Sequence, residues 1–246
     1  GTATRAIVGL TDGDHVGGDG SRNSTVKFLN DAGQASGNSE RKTAGGGQSA
    51  WFYNGTTTSR IGLFGAEHTS SDGNQFSEVA EYVYDNTFYQ GRRGMTEAGQ
   101  VLGKSTRYSG GDWRGEDVWM HSGGTTTVIG LTDSEHTGDN GMRMNKAFRM
   151  NGVGQVIGVS DRFAGDDWTG QSAWIYDGAT TTRMGLTDGV HSTSSGFQHS
   201  DVRSISEGGH AIGLSERYTP SGEYRGQSVW MHYEGTTRQL GFTGGI

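Results

Sequence analysis

The stretch SAWFYNGTTTSRIGL (residues 49–63) gives the strongest indication of the fold, because the chain contains three further versions of it. They are DVWMHSGGTTTVIGL (117–131), SAWIYDGATTTRMGL (172–186) and SVWMHYEGTTRQLGF (228–242). Each version has two β-prone runs around a Gly-Thr turn, which is typical of a β-hairpin. The tryptophans follow one another at spacings of 68, 55 and 56 residues. Self-similarity at such a period indicates a repeat architecture.

A second hairpin precedes each of these stretches. Its strands lie in TVKFLNDAGQASGNSER, MTEAGQVLGKSTRY, AFRMNGVGQVIGVSDRF and VRSISEGGHAIGLSERY, and the turns between them contain glycine, which tolerates positive φ. Four short strands in roughly 55 residues match the size of one propeller blade. We therefore predict an all-β fold, a β-propeller of about four four-stranded blades.

The predicted organisation is a single repeat domain over residues 1–246, with repeats at about 11–63, 64–131, 132–186 and 187–242. Residues 4–10 (TRAIVGL) match the Ile-Gly-Leu strand, so we expect residues 3–10 to form an N-terminal strand that closes the ring. An open array or β-solenoid is the alternative, and it would leave sheet edges exposed. The second repeat carries an extra piece around residues 81–93 (EYVYDNTFYQGRR), which we expect to extend a hairpin outward.

Composition narrows the range of functions. The chain has 45 glycines and one proline in 246 residues without a Gly-x-y period, so it is not collagen-like. The formal net charge of −7 and the absence of Lys/Arg runs argue against nucleic-acid binding. No apolar stretch approaches the roughly 18 residues that span a bilayer, so membrane insertion is not expected. Cysteine is absent, which excludes disulfides, thiol nucleophiles and thiolate metal sites.

A histidine loop opens each repeat: TDGDHVGGDG (11–20), FGAEHTSSDG (64–73), TDSEHTGDNG (132–141) and TDGVHSTSSG (187–196). A carboxylate precedes the histidine in three loops, and Val190 replaces it in the fourth. Oxygen-rich Asp-Gly loops suit Ca²⁺, whereas one imidazole is not enough for Zn²⁺. The candidate calcium ligands are Asp14, His15, Asp19, Glu67, His68, Asp72, Glu135, His136 and Asp139. The alternative is a structural turn held by side-chain bonds to the loop backbone.

An aromatic loop precedes the Trp strand in three repeats: RYSGGDWRGED (107–117), RFAGDDWTGQS (162–172) and RYTPSGEYRGQS (217–228). A flat ring beside carboxylates and arginine suits sugars, whose C–H faces stack on rings while their hydroxyls need polar partners. The candidate ligand-binding residues are Tyr108, Asp112, Trp113, Phe163, Asp167, Trp168, Tyr218, Glu223 and Tyr224. The first repeat has only RKTAGGGQS (41–49), without a ring. The alternative is that the rings fill gaps between blades.

Two further recurring residue types are predicted to be structural. The strand residues Trp51, Trp119, Trp174 and Trp230 should form the core between blades, since they stand in alternating strands. The recurring Arg41, Arg107, Arg162 and Arg217 should tie each blade to a loop through charge-assisted hydrogen bonds.

The phrases AGQVLGKS, GVGQVIGVS and GQSAWIYDGATTTRMGL resemble the bacterial extracellular His-Ala-Phe-type repeat family. They look closer still to a related uncharacterised proteobacterial family of exported repeat proteins. The resemblance covers all four repeats and implies a bacterial secreted, cell-surface or periplasmic location, but no activity. Ser49-Ala50-Trp51 and its counterparts replace His-Ala-Phe, so no role of the signature histidine is transferred.

Catalysis receives little support, because the chain lacks nucleophile-elbow, metalloprotease, P-loop and dinucleotide motifs. We predict a non-enzymatic extracellular repeat protein that binds a ligand multivalently, with a glycan as the favoured ligand in a lectin-like manner. The first alternative is a structural or adhesive surface or matrix module without a small ligand. The second is a carbohydrate-active enzyme with two facing carboxylates. The expected partner is a glycan or another cell-surface or matrix polymer, and an oligomer is compatible with the sequence.

Overall fold

A computed structural model of the chain describes residues 8–43, 45–80 and 94–241. Within these residues the protein is all-β, with sixteen strands and one short 3₁₀ turn, Ala66–His68, so the predicted fold class is confirmed at this level. The strands are β1 Ser24–Leu29, β2 Ala35–Glu40, β3 Gly47–Tyr53, β4 Thr58–Ile61, β5 Gln75–Val79, β6 Val101–Ser109, β7 Asp112–Ser122, β8 Thr125–Ile129, β9 Arg143–Met150, β10 Val156–Ala164, β11 Asp167–Tyr176, β12 Thr181–Met184, β13 Gln198–Ile205, β14 Ala211–Tyr218, β15 Tyr224–Tyr233 and β16 Thr236–Gln239.

The sixteen strands belong to one continuous mixed sheet, and each repeat contributes a four-stranded part to it. These parts are called the first sheet (β1–β4), the second (β5–β8), the third (β9–β12) and the fourth (β13–β16). In the first, third and fourth sheets all neighbouring strands are antiparallel. The two hairpins predicted for each repeat thus become one continuous meander. The Trp strand is the third strand of its sheet, with neighbours on both sides.

Short parallel pairings join consecutive sheets at a glycine in each of the first three Trp strands. Gly47, Gly115 and Gly170 pair with the first residue of β5, β9 and β13, respectively. All three glycines have positive φ. A Cβ on Gly170 would lie 1.8 Å from the carbonyl oxygen of Gln198, so no side chain fits at this contact. These positions therefore require glycine both for its φ and for the close approach of the next strand.

The described chain divides into two compact units, and each has an apolar core between two sheets. In the first unit the core lies between the first and second sheets and consists of Ala50, Ile61, Val79, Met95, Val101 and Trp119. In the second unit it lies between the third and fourth sheets and consists of Ile157, Val159, Ala173, Ile175, Met184, Val202, Ile205, Ala211 and Trp230. The prediction that strand tryptophans form the core between sheets is thereby confirmed for Trp119 and Trp230.

A glycine on the adjacent strand makes room for each buried indole. A Cβ on Gly158 would lie 2.3 Å from Cζ2 of Trp174, and one on Gly213 would lie 2.2 Å from the same atom of Trp230. Both tryptophans are 0% exposed. The recurring Gly-x-Ser motif of the second strand therefore supplies the space into which the tryptophan packs.

Residues 8–10 dock on the first sheet as the end of one repeat docks on the next. The backbone N–H of Leu10 donates to Oγ of Ser39 at 3.1 Å, and Leu186 donates to Ser215 in the same way at 2.9 Å. Val8 and Leu10 also pack with the cluster around Trp51. The predicted closing strand 3–10 lies mostly outside the described residues, and residues 8–10 are not in a strand.

The four-bladed ring itself is not confirmed. Among the described strands the order of hydrogen-bonded neighbours starts at β1 and ends at β16, and it includes no pairing between those two. The inserted piece at residues 81–93, predicted to extend a hairpin, lies outside the described residues.

Candidate functional site

The loop histidines are buried, and two of them, His136 and His191, lie in complete hydrogen-bonded triads. His136 is 1% exposed; its Nδ1 lies 2.7 Å from Oδ1 of Asp133, and its Nε2 lies 3.0 Å from Oγ of Ser172. Ser172 is also 1% exposed and sits two residues before Trp174. The triad has the residue types of a hydrolase site, but its serine has no access for a substrate. Its effect is to fix the loop to the Trp strand.

The triad is complete again in the fourth repeat, and the first repeat keeps only its Asp–His contact. His191 contacts Asp188 at 2.6 Å and Ser228 at 2.9 Å. His15 contacts Asp12 at 2.6 Å. In the second repeat the sequence carries Gly65 at the position of the aspartate and Asp117 at the position of the serine. An aspartate three residues before the histidine recurs in the sequence. The predicted calcium ligands include the carboxylate next to the histidine but not this aspartate.

Burial lowers the pKa of His136, against the opposing effect of Asp133 and with help from Arg183 and Arg162. The imidazole is therefore neutral at neutral pH. Its short contacts then assign the proton to Nδ1, which donates to the Asp133 carboxylate, while Nε2 accepts from the hydroxyl of Ser172. A neutral, doubly hydrogen-bonded histidine of this kind stabilises a loop.

The carboxylates next to the histidines bind arginines. Glu135 Oε2 lies 2.9 Å from Arg162 Nη1 and 3.1 Å from Arg183 Nη1. The corresponding pairs are Asp14 with Arg41 at 3.1 Å and Glu67 with Arg107 at 2.9 Å. The prediction that recurring arginines tie strands to loops is confirmed for Arg41, Arg107 and Arg162, which are buried. In the fourth repeat Val190 replaces the carboxylate, and Arg217 is exposed.

The remaining candidate calcium ligands lie in loop turns. Asp19 accepts from the backbone N–H of Ser21 at 2.9 Å, and Asp72 accepts from the hydroxyl of Ser70. Asp139 is exposed. Within residues 8–43, 45–80 and 94–241, no three His, Asp or Glu side chains are grouped so that they could hold one ion. Calcium binding at these loops stays a prediction.

The aromatic loops present rings to solvent at the tips of hairpins. Trp113, Trp168 and Tyr224 are 50%, 51% and 57% exposed, although they lie in or beside long strands. Rings exposed to this extent are accessible to a ligand, and ligand binding at them stays a prediction. Their acidic neighbours Asp112, Asp167 and Glu223 are exposed too, at the same turns, and the partly buried Tyr108 and Phe163 precede the first two turns.

In the second unit four rings form a row. The ring centroids of Trp168 and Phe197 are 5.4 Å apart, those of Phe197 and Tyr218 5.6 Å, and those of Tyr218 and Tyr224 6.4 Å. All three contacts are edge-to-face, a favourable aromatic geometry. The row begins and ends on an exposed ring, with Tyr218 buried between them. We call these four residues the aromatic row.

Phe197 completes the aromatic row and was not among the residues predicted to bind a ligand. It stands between the histidine loop of the fourth repeat and β13, so it comes from a different part of the chain than its ring partners. The equivalent positions hold Asn74 and Met142, so the repeat pattern gave no signal for an aromatic here. In the second repeat Asn74 instead accepts a hydrogen bond from the hydroxyl of Tyr108 at 3.3 Å.

Polar groups border the aromatic row. The hydroxyl of Tyr218 donates to Glu216, and burial together with that carboxylate raises the pKa of Tyr218. Glu216 also lies 3.5 Å from Nδ1 of His199. Beside Tyr224, at one exposed end of the row, Arg225 pairs with Glu223 at 2.7 Å, and both side chains are largely exposed. The row thus combines apolar ring surface with hydrogen-bond donors and acceptors.

Comparison of the chain with known protein-family models and with curated proteins gives no match. None of the helical turns among the described residues is long and apolar enough to cross a membrane.

Proposed function

We propose that this protein is a non-enzymatic, extracellular repeat protein that binds glycans at its exposed aromatic loops. The observation that carries the proposal is the aromatic row, with half-exposed Trp168 and Tyr224 at its ends. A large exposed apolar patch on a soluble protein marks an interaction site, whereas a single exposed apolar side chain is common. The aromatic row, with four rings in contact, is larger than a single side chain.

The chemistry of the row fits a pyranose. The C–H face of a sugar stacks on an indole or phenol ring, while its hydroxyls need both donors and acceptors nearby. Glu223 and Arg225 supply these groups beside Tyr224. The ring of Trp168 is held by its edge-to-face contact with Phe197, so little conformational entropy is lost on binding.

Repetition would strengthen weak sites. Trp113 offers a second, similar loop in the first unit, with Asp112 beside it. Linked sites on one polymer act by effective concentration, so avidity can exceed single-site affinity. The first repeat, whose loop lacks a ring, should not contribute.

A glycan array followed by calorimetry on the best ligand tests the proposal. Trp168→Ala and Tyr224→Ala should each weaken binding by about 1–3 kcal/mol, a range taken from base–aromatic stacking. Tyr233→Ala is the matched control, because Tyr233 is also exposed (39%) but lies outside the aromatic row. Equal affinity of the Trp168 variant and the wild type, with both folded, would reject the aromatic row as the binding surface.

Four further hypotheses come from the sequence, and each has its own test. Small-angle scattering distinguishes a closed four-bladed propeller from an open array of sheets. Glycan binding in the presence of excess chelator tests whether Ca²⁺ takes part. A reducing-end assay on polysaccharides found by the array tests the carbohydrate-active alternative. A secreted, cell-surface or periplasmic location follows from the family resemblance and is tested by fractionation of the source cells.

A further inference from the structure

The chain contains three Asn-Gly pairs: Asn54-Gly55, Asn140-Gly141 and Asn151-Gly152. Such a pair can modify itself, because glycine has no side chain to keep its backbone nitrogen away from the amide of the preceding residue. The nitrogen attacks only after losing its proton, so its N–H must be accessible to base. What distinguishes the three pairs is therefore how each glycine N–H is bonded in the folded protein.

In two of the pairs the glycine N–H is held by an acceptor. Gly141 donates to the carbonyl oxygen of Gly138 at 2.8 Å, within a backbone turn. Gly152 donates to a carboxylate oxygen of Glu207 at 2.7 Å, and Asn151 before it is only 3% exposed. Each of these nitrogens must first give up a hydrogen bond before it can react, and the folded protein opposes that loss.

The third pair lies in the exposed turn between β3 and β4. Within residues 8–43, 45–80 and 94–241, no acceptor is hydrogen-bonded to the Gly55 N–H. A Cβ on Gly55 would meet nothing within 4 Å, so no neighbouring group covers this part of the turn. Asn54 is exposed as well. Hydroxide from the solvent can therefore reach and deprotonate this nitrogen.

The same turn activates the amide that would be attacked. Oδ1 of Asn54 accepts hydrogen bonds from the backbone N–H groups of Thr56 and Thr57, both at 2.9 Å. These donors draw electrons from the amide carbon and stabilise the negative charge that the oxygen gains on attack, as an oxyanion hole does. The hydroxyl of Tyr53 donates to the carbonyl oxygen of Gly55 at 2.7 Å, which helps to keep the turn and its donors in place.

The third repeat already has the product of the reaction at the equivalent position. Asp177 stands there in place of asparagine, and its Oδ1 accepts from the backbone N–H groups of Ala179 and Thr180, both at 2.8 Å. The glycine that follows has positive φ in both turns. An aspartate at position 54 would therefore keep the turn.

We propose that Asn54 is a site of self-modification, where the backbone nitrogen of Gly55 converts the side-chain amide to a carboxyl group with water as the co-reactant. Base removes the proton of the Gly55 nitrogen, which forms a bond to Cγ of Asn54. The bond from Cγ to the amide nitrogen breaks, and that nitrogen takes a proton from water and leaves as ammonia. Water then opens the succinimide ring at either carbonyl, which gives aspartate or isoaspartate. Nothing is oxidised or reduced.

Peptide mapping of the folded full chain, aged in heavy-oxygen water at mildly alkaline pH, tests the proposal. Heavy oxygen marks carboxyl groups formed during ageing and distinguishes them from those formed during digestion. Trypsin places the three pairs in separate peptides, residues 43–60, 115–143 and 150–162. The peptide 43–60 should gain a carboxyl group severalfold faster than the other two. Its rate should rise with pH, because hydroxide removes the proton.

Two controls separate the effect of the fold from that of the sequence. In urea the three peptides should react at similar rates, because every pair is Asn-Gly and no acceptor then holds a glycine N–H. Asn54→Gln should leave the peptide 43–60 unmodified, because the longer side chain would have to close a larger and less favourable ring. Melting curves confirm that this variant folds.

Three results would overturn the proposal. One is a folded chain in which the peptide 43–60 is modified no faster than the other two. Another is the same ranking of the three peptides in urea, since the residues that follow each glycine would then set the rates. The third is a carboxyl group gained by the peptide 43–60 of the Asn54→Gln variant. The glycan proposal is tested separately, because Asn54 lies outside the aromatic row.

Discussion

Replacing Gly158 by alanine tests how the buried tryptophans are accommodated. The glycine lies on β10, and an added Cβ would be 2.1 Å from the carbonyl oxygen of Lys146 and 2.3 Å from Cζ2 of Trp174. Neither neighbour can yield easily. The carbonyl belongs to a strand paired on β10, and the indole is completely buried.

The expected cost follows from this geometry. Overpacking a core by one methyl group costs about 1–3 kcal/mol, and the two immobile neighbours place Gly158→Ala near 3 kcal/mol. For a chain of this size, 1 kcal/mol corresponds to about 2–4 °C in Tm, so the variant should melt about 6–12 °C below the wild type.

Thermal and urea unfolding, followed by tryptophan fluorescence, measure the effect. Gly189→Ala is the matched control, because a Cβ there would meet nothing within 4 Å and the φ of Gly189 is not positive. That change should be neutral, or stabilise by up to about 1 kcal/mol by restricting the unfolded chain. If Gly158→Ala is as stable as Gly189→Ala, the tryptophan does not need the glycine, and the packing argument is wrong.

Three further outcomes concern the loop carboxylates and the buried histidines. Glu135→Gln should destabilise the protein by about 1–3 kcal/mol, because it weakens hydrogen bonds to the buried Arg162. Asp139→Asn, at an exposed site, should change the stability little, and urea unfolding compares the two variants. Excess chelator should leave the Tm unchanged if arginines alone neutralise the loop carboxylates, and a lower Tm in chelator would support the calcium sites instead. Burial lowers the pKa of His121, His136 and His232, so below pH 6.5, the ordinary histidine pKa, the unfolded chain binds more protons than the folded protein. The free energy of unfolding should therefore be flat above pH 6.5 and should fall below it. Unfolding curves between pH 5 and 8 measure this dependence, and a stability that rises on acidification would contradict it.

Local patterns predicted much of the fold. Each predicted hairpin pair became a four-stranded meander, because turn glycines and alternating apolar residues act within one repeat. Trp119 and Trp230 lie in the core as expected, and the arginine ties follow from pairs that recur in the first three repeats. The histidine loops were less well predicted, because the partners of His136 are Asp133, three residues away, and Ser172, thirty-six residues away.

The β-strands, their repeat and the residues available for each role could be predicted from the sequence, since these depend on interactions between near neighbours in the chain. Which side chains meet across loops becomes visible only in the folded protein. The tertiary structure placed Phe197 between Trp168 and Tyr218, and it enclosed the histidines while leaving the hairpin-tip rings exposed. It also showed that equivalent residues differ in burial. Val26 and Val202 occupy the same position in their repeats, yet Val26 is 55% exposed and Val202 is 0% exposed in the core between the third and fourth sheets. The burial of such a residue depends on the sheet that packs against it rather than on the local sequence.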